Sequence, residues 1–228
     1  MWIDDDILKR CAEPVALSCF VPSSPCVVLG SSNEVDVEVN AAACHAAGIS
    51  IVKRYGGGGT VLLNDKVVVV SVGAWVRQHF QNKFYFERLN QALIDSLAAA
   101  WPQFAELGQA GLSDVVWRGR KVVGTSLFRS RNYLLYQASI LIKADIPAFE
   151  AYLRHPSREP EYRQGRSHAD FLVGLAEIDP GVTSAQCVVT VNRALPATLQ
   201  NQLAEELIAP QPEQFANLMQ RAELARLQ

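Results

Sequence analysis

The chain has 228 residues, 49% of them hydrophobic and 19% charged, which is the balance of a globular protein with a full-sized core and excludes a disordered or fibrous chain. A net charge of −2 excludes the chain-wide basic field that would draw nucleic acid or an anionic membrane surface. Five cysteines without a CxxC pair fit neither a zinc site nor a complete disulfide framework, and no apolar run approaches the roughly 20 residues of a membrane helix.

The acidic start, "MWIDDDILKR", has no signal-peptide core, so the expectation is a cytoplasmic protein. Asp4 to Cys11 reads as a short helix whose acidic residues suit its N-terminus. "VALSCF" and "CVVLG" read as strands on either side of the turn "VPSSP". "EVNAAACHAAG" reads as a helix stopped by Gly48. "ISIVKRY" and "TVLL" are strand-like and flank four glycines. "KVVVVSVGAWV" has the continuous β-branched run of a strand covered on both faces.

The clearest helix is "KFYFERLNQALIDSLAAAW", with Phe86, Leu89, Leu93, Leu97 and Trp101 at helical spacing as a core-facing stripe. "SDVVWRGRKVVGTSLF" reads as a hairpin turning near Arg118–Gly119, its second strand broken by Gly124, and "NYLLYQASILI" as another strand. From about residue 146 the pattern is helical, interrupted by the polar stretch "RHPSREPEYRQGRS" and closed by a last helix from about Glu213 to Leu227. Strands first and helices last predict an α+β domain over 1–228 with a helical C-terminal portion from about 146.

Two stretches carry chemistry. In "KRYGGGGTVLLND" the four glycines, Gly56, Gly57, Gly58 and Gly59, exceed what a hairpin needs. Such a run lets a ligand touch the backbone and lets N–H groups converge on an anion, and Arg54 adds a charged fork. The spacing is not that of a Walker P-loop. Strand-like residues follow the glycines where a dinucleotide fingerprint requires a helix. In "WRGRKVVGTSLFRSRNYLLYQASILI", Lys121 opens a strand among apolar neighbours and can hold a carboxylate or phosphate as a point charge. Taken alone, Lys121 reads as a solvent-facing hairpin lysine.

Together, "CVVLGSSNEVDVEVNAAACHAAGISIVKRYGGGGTV" and "GRKVVGTSLFRSRNYLLYQASILI" resemble the lipoate-protein ligase and octanoyltransferase superfamily in motif order and spacing, from Asp4 to about Leu175. The resemblance implies a mixed, largely antiparallel sheet with helices packed on it, like the class II synthetase and biotin-ligase catalytic domains. It implies that Arg54 and Gly56 to Gly59 line a pocket for the acyl chain and acyl-adenylate, and that Lys121 is the catalytic lysine on the carbonyl and phosphate oxygens. Gly124, Thr125 and Ser126 match the step beside that lysine, and Gln137 stands where the family has a histidine.

Lipoate or octanoate is then the acyl substrate, with ATP and Mg2+ if the protein is a ligase. The partner is a lipoyl carrier domain of a 2-oxoacid dehydrogenase or glycine-cleavage-type protein, with room for an accessory subunit. An ATP-independent octanoyltransferase and a non-catalytic acyl-binding protein of the same fold are the alternatives. The family's "HD" after its glycines falls at Leu63 and Asn64, and its following asparagine at Val67. The cysteine of the thioester branch is missing from "AELGQAGLSD". Cys187 sits in apolar "SAQCVVTVN", a setting for a structural thiol. Arg163, Arg166 and His168 read as a second anion-facing group, with Ser167 as a helix cap. His45, His79 and His155 form no metal-binding pattern.

Overall fold

The computed structural model describes residues 4–78, 81–156, 158–210 and 212–226. His79 and Leu227 lie outside the described residues. The strands, in chain order, are β1 (Val15–Phe20), β2 (Cys26–Leu29), β3 (Ser50–Lys53), β4 (Val61–Leu63), β5 (Val67–Trp75), β6 (Gly108–Ala110), β7 (Asp114–Trp117), β8 (Arg120–Ser130) and β9 (Tyr133–Leu141). The helices are α1 (Asp5–Leu8), α2 (Val35–Glu38), α3 (Ala41–Ala46), α4 (Asn82–Ala98), α5 (Ile146–Tyr152), α6 (His168–Phe171), α7 (Leu175–Ile178), α8 (Ser184–Leu203) and α9 (Pro212–Arg226).

The strands form two sheets. One is antiparallel, in the order β1-β5-β9-β8-β7-β6; the other is a small mixed sheet, β3-β2-β4, in which β2 runs parallel to β3 and antiparallel to β4. The β5 strand is buried along its whole length, as its unbroken valine run requires. Its alternation assigns the two faces: Val68, Val70, Val72 and Ala74 pack into a core with α4 and α8, whereas Val67 and Val69 pack with β2, β4 and α5. The α4 stripe Phe86, Leu89, Leu93 and Leu97 is buried in the first core, and α8 adds Cys187, Val191, Leu195 and Leu199 to it. The site lies on the other face, between the large sheet and the small one.

Three local details differ from the sequence reading. The "EVN" helix is two pieces: the chain is extended at Val39, and Asn40 caps α3 by accepting from the Ala43 N–H at 3.3 Å. A short strand, β6, forms within "AELGQAGLSD". Gly124 does not break its strand, because β8 runs through it with Gly124 opposite Ser139 on β9. The expected hairpin is present, with Arg118 and Gly119 both at positive φ, the two-residue geometry that matches strand twist. Among the described residues no helix is long and apolar enough to cross a membrane.

Candidate functional site

The glycine loop leaves β3 at Arg54 and enters β4 at Val61. Arg54 is buried, and its Nη2 donates to the carbonyls of Gly57 and Gly59, each at 2.7 Å. Burial pulls its pKa down to about 10, against the attraction of Asp4, so it remains a cation at neutral pH. The fork expected to meet a ligand therefore serves first to gather the loop around itself.

Each glycine has its own reason. Gly58 has φ +92°, which side chains rarely adopt. A methyl group on Gly56 would lie 2.9 Å from the Ser126 hydroxyl. Around Gly57 and Gly59 a methyl would meet nothing within 4 Å, so these two face open space. Gly30, at the end of "VVLG", packs beneath the loop: a Cβ there would come within 2.3 Å of the Gly58 carbonyl oxygen.

Lys121 is the second residue of β8. Its Nζ lies 2.7 Å from Asp114 Oδ1, on a carboxylate whose side chain is only 8% exposed. The other carboxylate oxygen accepts from the Tyr162 hydroxyl at 2.8 Å. Burial and that neighbouring carboxylate both push the Tyr162 phenol well above its usual range, so it stays a donor. The lysine lies across Gly124, whose missing Cβ leaves it space: a methyl there would sit 2.9 Å from Lys121 Cε. The close approach inferred at Gly124 is thus made by this side chain. Beside it, the Thr125 hydroxyl donates to the Ser113 carbonyl.

Three adjoining spaces meet at Lys121. An apolar cavity of about 100 Å³ is walled by Val28, Val61, Leu63, Val69 and Ala138, with Arg54, Gly59, Thr125, Ser126 and Gln137 at its polar side. A second apolar cavity of about 110 Å³ lies between Leu62, Leu141, Phe149, Phe171 and Leu172. An open trough of about 700 Å³ runs past Gly58, Gly59, Asp114 and Lys121 to Arg154, Arg158, Arg163 and His168. The glycine loop and Lys121, distant in sequence, are brought to one cleft by the facing of the two sheets. The arrangement offers an apolar slot ending at a cation, with polar access from one side. That suits stabilisation of charge developing on oxygen at the head of an apolar chain.

Arg163 and Arg166 largely hold their own segment together. Both stack on Phe171, at 4.8 and 5.2 Å; Arg163 Nε donates to the Arg166 carbonyl, and Arg166 Nη2 to the Gly119 and Tyr162 carbonyls. Ser167 caps α6, accepting from the Asp170 N–H at 3.2 Å. His168 faces the trough, and burial together with Arg163 and His155 holds its pKa below the usual value. Cys187 is buried in α8, its thiol pushed up in pKa by desolvation, and it lines none of the three spaces.

Leu63 is cavity wall and Val67 is core, while Asn64 accepts from the Lys66 N–H and donates to Asp145 in the β4–β5 turn. Asp114 and Tyr162 were not singled out from sequence. Their neighbours "SD" and "EPEY" carry no motif that distinguishes them from turn and surface residues.

Residues 1–195 match the family model described as lipoyl protein ligase A/B catalytic domain. An inactive lipoate–protein ligase 2 of Plasmodium falciparum is 24% identical over 185 residues, covering 68% of this chain and 48% of that protein. The chain thus spans about half the length of that curated relative. A bi-partite lipoate protein ligase from Thermoplasma acidophilum, solved in an analysis that includes its E2 lipoyl domain, superimposes with a TM-score of 0.69 at 17% identity, covering 97% of this chain and 89% of its own. A lipoate-protein ligase A bound with ATP gives a TM-score of 0.69 at 17% identity, covering 96% and 85%. At these identities the structural likeness is one of fold.

Proposed function

The chain belongs to the lipoyl protein ligase A/B catalytic domain family, and from that premise we propose that it attaches a lipoyl or octanoyl group to a lysine of a carrier domain through an acyl-adenylate. The observation that carries this reading is the position of Lys121, where an apolar cavity, a glycine loop and an open trough meet. The acyl chain occupies the apolar cavity with its carboxylate toward Lys121. The carboxylate attacks the α-phosphate of ATP, entering from the trough, and pyrophosphate leaves. The carrier's amine then attacks the acyl carbon, forming the amide and releasing AMP.

Negative charge gathers on the carbonyl and phosphate oxygens in both steps. The Lys121 ammonium, aimed by Asp114, stabilises it. The glycine loop offers bare backbone at Gly58 and Gly59, which line the trough, for the approach of the adenylate, while Gly56 and Gly57 line none of the three spaces. Among the described residues no cluster of three or more metal-ligating side chains exists, and Asp114 engages both oxygens with Lys121 and Tyr162. The described side chains thus form no all-protein cage for Mg2+, which would arrive with the phosphates of ATP as their counter-ion.

A second reading is an acyl-holding accessory protein without turnover. It is favoured by Leu63, Asn64 and Val67, which serve wall, turn and core at the positions where the family resemblance expects polar groups. The experiment incubates the protein with apo carrier domain and either lipoate plus ATP or octanoyl carrier protein, and weighs the acceptor by mass spectrometry. ATP-dependent gain of a lipoyl group supports the ligase. Gain from octanoyl carrier protein alone supports ATP-independent transfer, and no gain in either supports the accessory protein.

A further inference from the structure

We infer that Asp4 is a positioning residue for the candidate site, holding Arg54, the glycine loop and Gln137 in the arrangement that shapes the apolar cavity. The inference rests on the reading of that cavity as the acyl site. Asp4 precedes α1 and has no exposed surface. A carboxylate that only opened a helix would face solvent. Instead its Oδ2 accepts from the Tyr55 N–H at 2.6 Å, at the point where the chain turns into the glycines. Among the described residues its Oδ1 has no donor at close hydrogen-bond distance, although the Gln137 side chain acts on the carboxylate, an arrangement costly for any group not held there by something else.

Charged and titratable groups face it from every side. The glycine loop contributes the Arg54 cation, β9 contributes the Gln137 amide and the Tyr133 phenol, and α1 contributes Asp5. Arg54 and Gln137 both line the apolar cavity. One carboxylate therefore touches or balances three components of the site: loop entry, loop organiser and cavity floor.

Burial, only partly offset by the Tyr55, Gln137 and Arg54 interactions, raises the Asp4 pKa from 3.8 to about 6. Arg54, at about 10, stays charged throughout the range in which Asp4 titrates. As pH falls through about 6, Asp4 becomes neutral and leaves a buried guanidinium without its counter-charge, a state that favours withdrawal of Arg54. The Gly57 and Gly59 carbonyls that Arg54 gathers are then released. The competent form is the ionised one, so its fraction, and with it apparent affinity, falls about tenfold between pH 7 and pH 5.

The test measures binding of octanamide, an acyl probe that does not titrate, by calorimetry between pH 5 and pH 8, for the wild type, Asp4→Asn and the exposed control Asp6→Asn. Expected is an approximately tenfold loss between pH 7 and pH 5 in the wild type and in Asp6→Asn. Asp4→Asn is expected to bind weakly and without pH dependence. A flat wild-type profile with tight binding overturns the inference even if Asp4→Asn fails to fold. So does an Asp4→Asn protein that keeps the wild-type affinity and profile. Octanamide that binds at no pH removes the acyl-cavity reading and this inference with it.

Discussion

Replacing Gly124 by alanine separates the role of Lys121 from the stability of the sheet. The added methyl would lie 2.9 Å from Lys121 Cε, 3.1 Å from its Nζ and 3.5 Å from the Ser139 hydroxyl. Carbon atoms prefer separations of about 3.5–4.0 Å, so the end of the lysine must move by roughly 1 Å. The atoms that yield are the far end of a flexible chain, while the backbone pairing of β8 with β9 has nothing to accommodate. Alanine in place of a strand glycine returns about 0.5–1 kcal/mol, whereas displacing Lys121 from the largely buried Asp114 carboxylate, whose other oxygen keeps the Tyr162 hydroxyl, costs about 1–3 kcal/mol. The net loss of stability in urea unfolding should be about 0–2.5 kcal/mol. A misplacement of about 1 Å at a reacting centre costs on the order of 100-fold. Acylation of the carrier domain, followed by mass spectrometry, should slow by about that factor. A Gly124→Ala protein that folds normally and transfers at the wild-type rate refutes the argument that Lys121 must lie across Gly124.

Asp114→Asn removes the counter-charge that aims Lys121; steady-state kinetics should show a lower kcat with the KM for the acyl substrate within about twofold, and Tyr162→Phe, one step farther away, a smaller loss of the same kind. Val61→Phe places a ring in the apolar cavity; longer acyl chains should be excluded first, since each methylene withdrawn from the slot forfeits about 0.8 kcal/mol, or roughly fourfold in affinity, as read from a chain-length series. Cys187→Ala should leave transfer unchanged within about twofold, because the thiol is buried away from the cleft, while denaturant unfolding reports a loss of about 1 kcal/mol from the emptied space; loss of transfer would restore a thioester route.

The parts of the fold written in local periodicity were legible in the chain. The valine run of β5, the α4 stripe and the Arg118–Gly119 hairpin each follow from side-chain spacing or turn chemistry. The "EVN" segment misled because the run of apolar residues continues across Asn40, a poor helix former that acts as the cap of α3, and the apolar pattern does not encode that break. Gly124 was recognised as a place of close approach, yet which group approaches depends on pairing with β9 and on the lysine three residues earlier. The site was half legible. Lys121 and the glycines stand out by charge and composition. Asp4, Asp114 and Tyr162 are ordinary residues made special by burial, and burial belongs to the tertiary structure. Gly30 likewise gains its meaning only from the carbonyl of Gly58 above it.

On the proposed function, Lys121 stabilises the negative charge that develops in acyl transfer. Single-turnover acylation of an apo carrier domain by wild type, Lys121→Ala and Lys143→Ala, with thermal unfolding of each, tests it most directly. Lys143 is an exposed lysine that lines none of the three spaces. A Lys121→Ala protein that still folds should lose about 100- to 1000-fold in rate, the usual cost of one well-placed charge stabiliser, whereas Lys143→Ala should be silent. Near-normal transfer by a folded Lys121→Ala protein would contradict that role of Lys121.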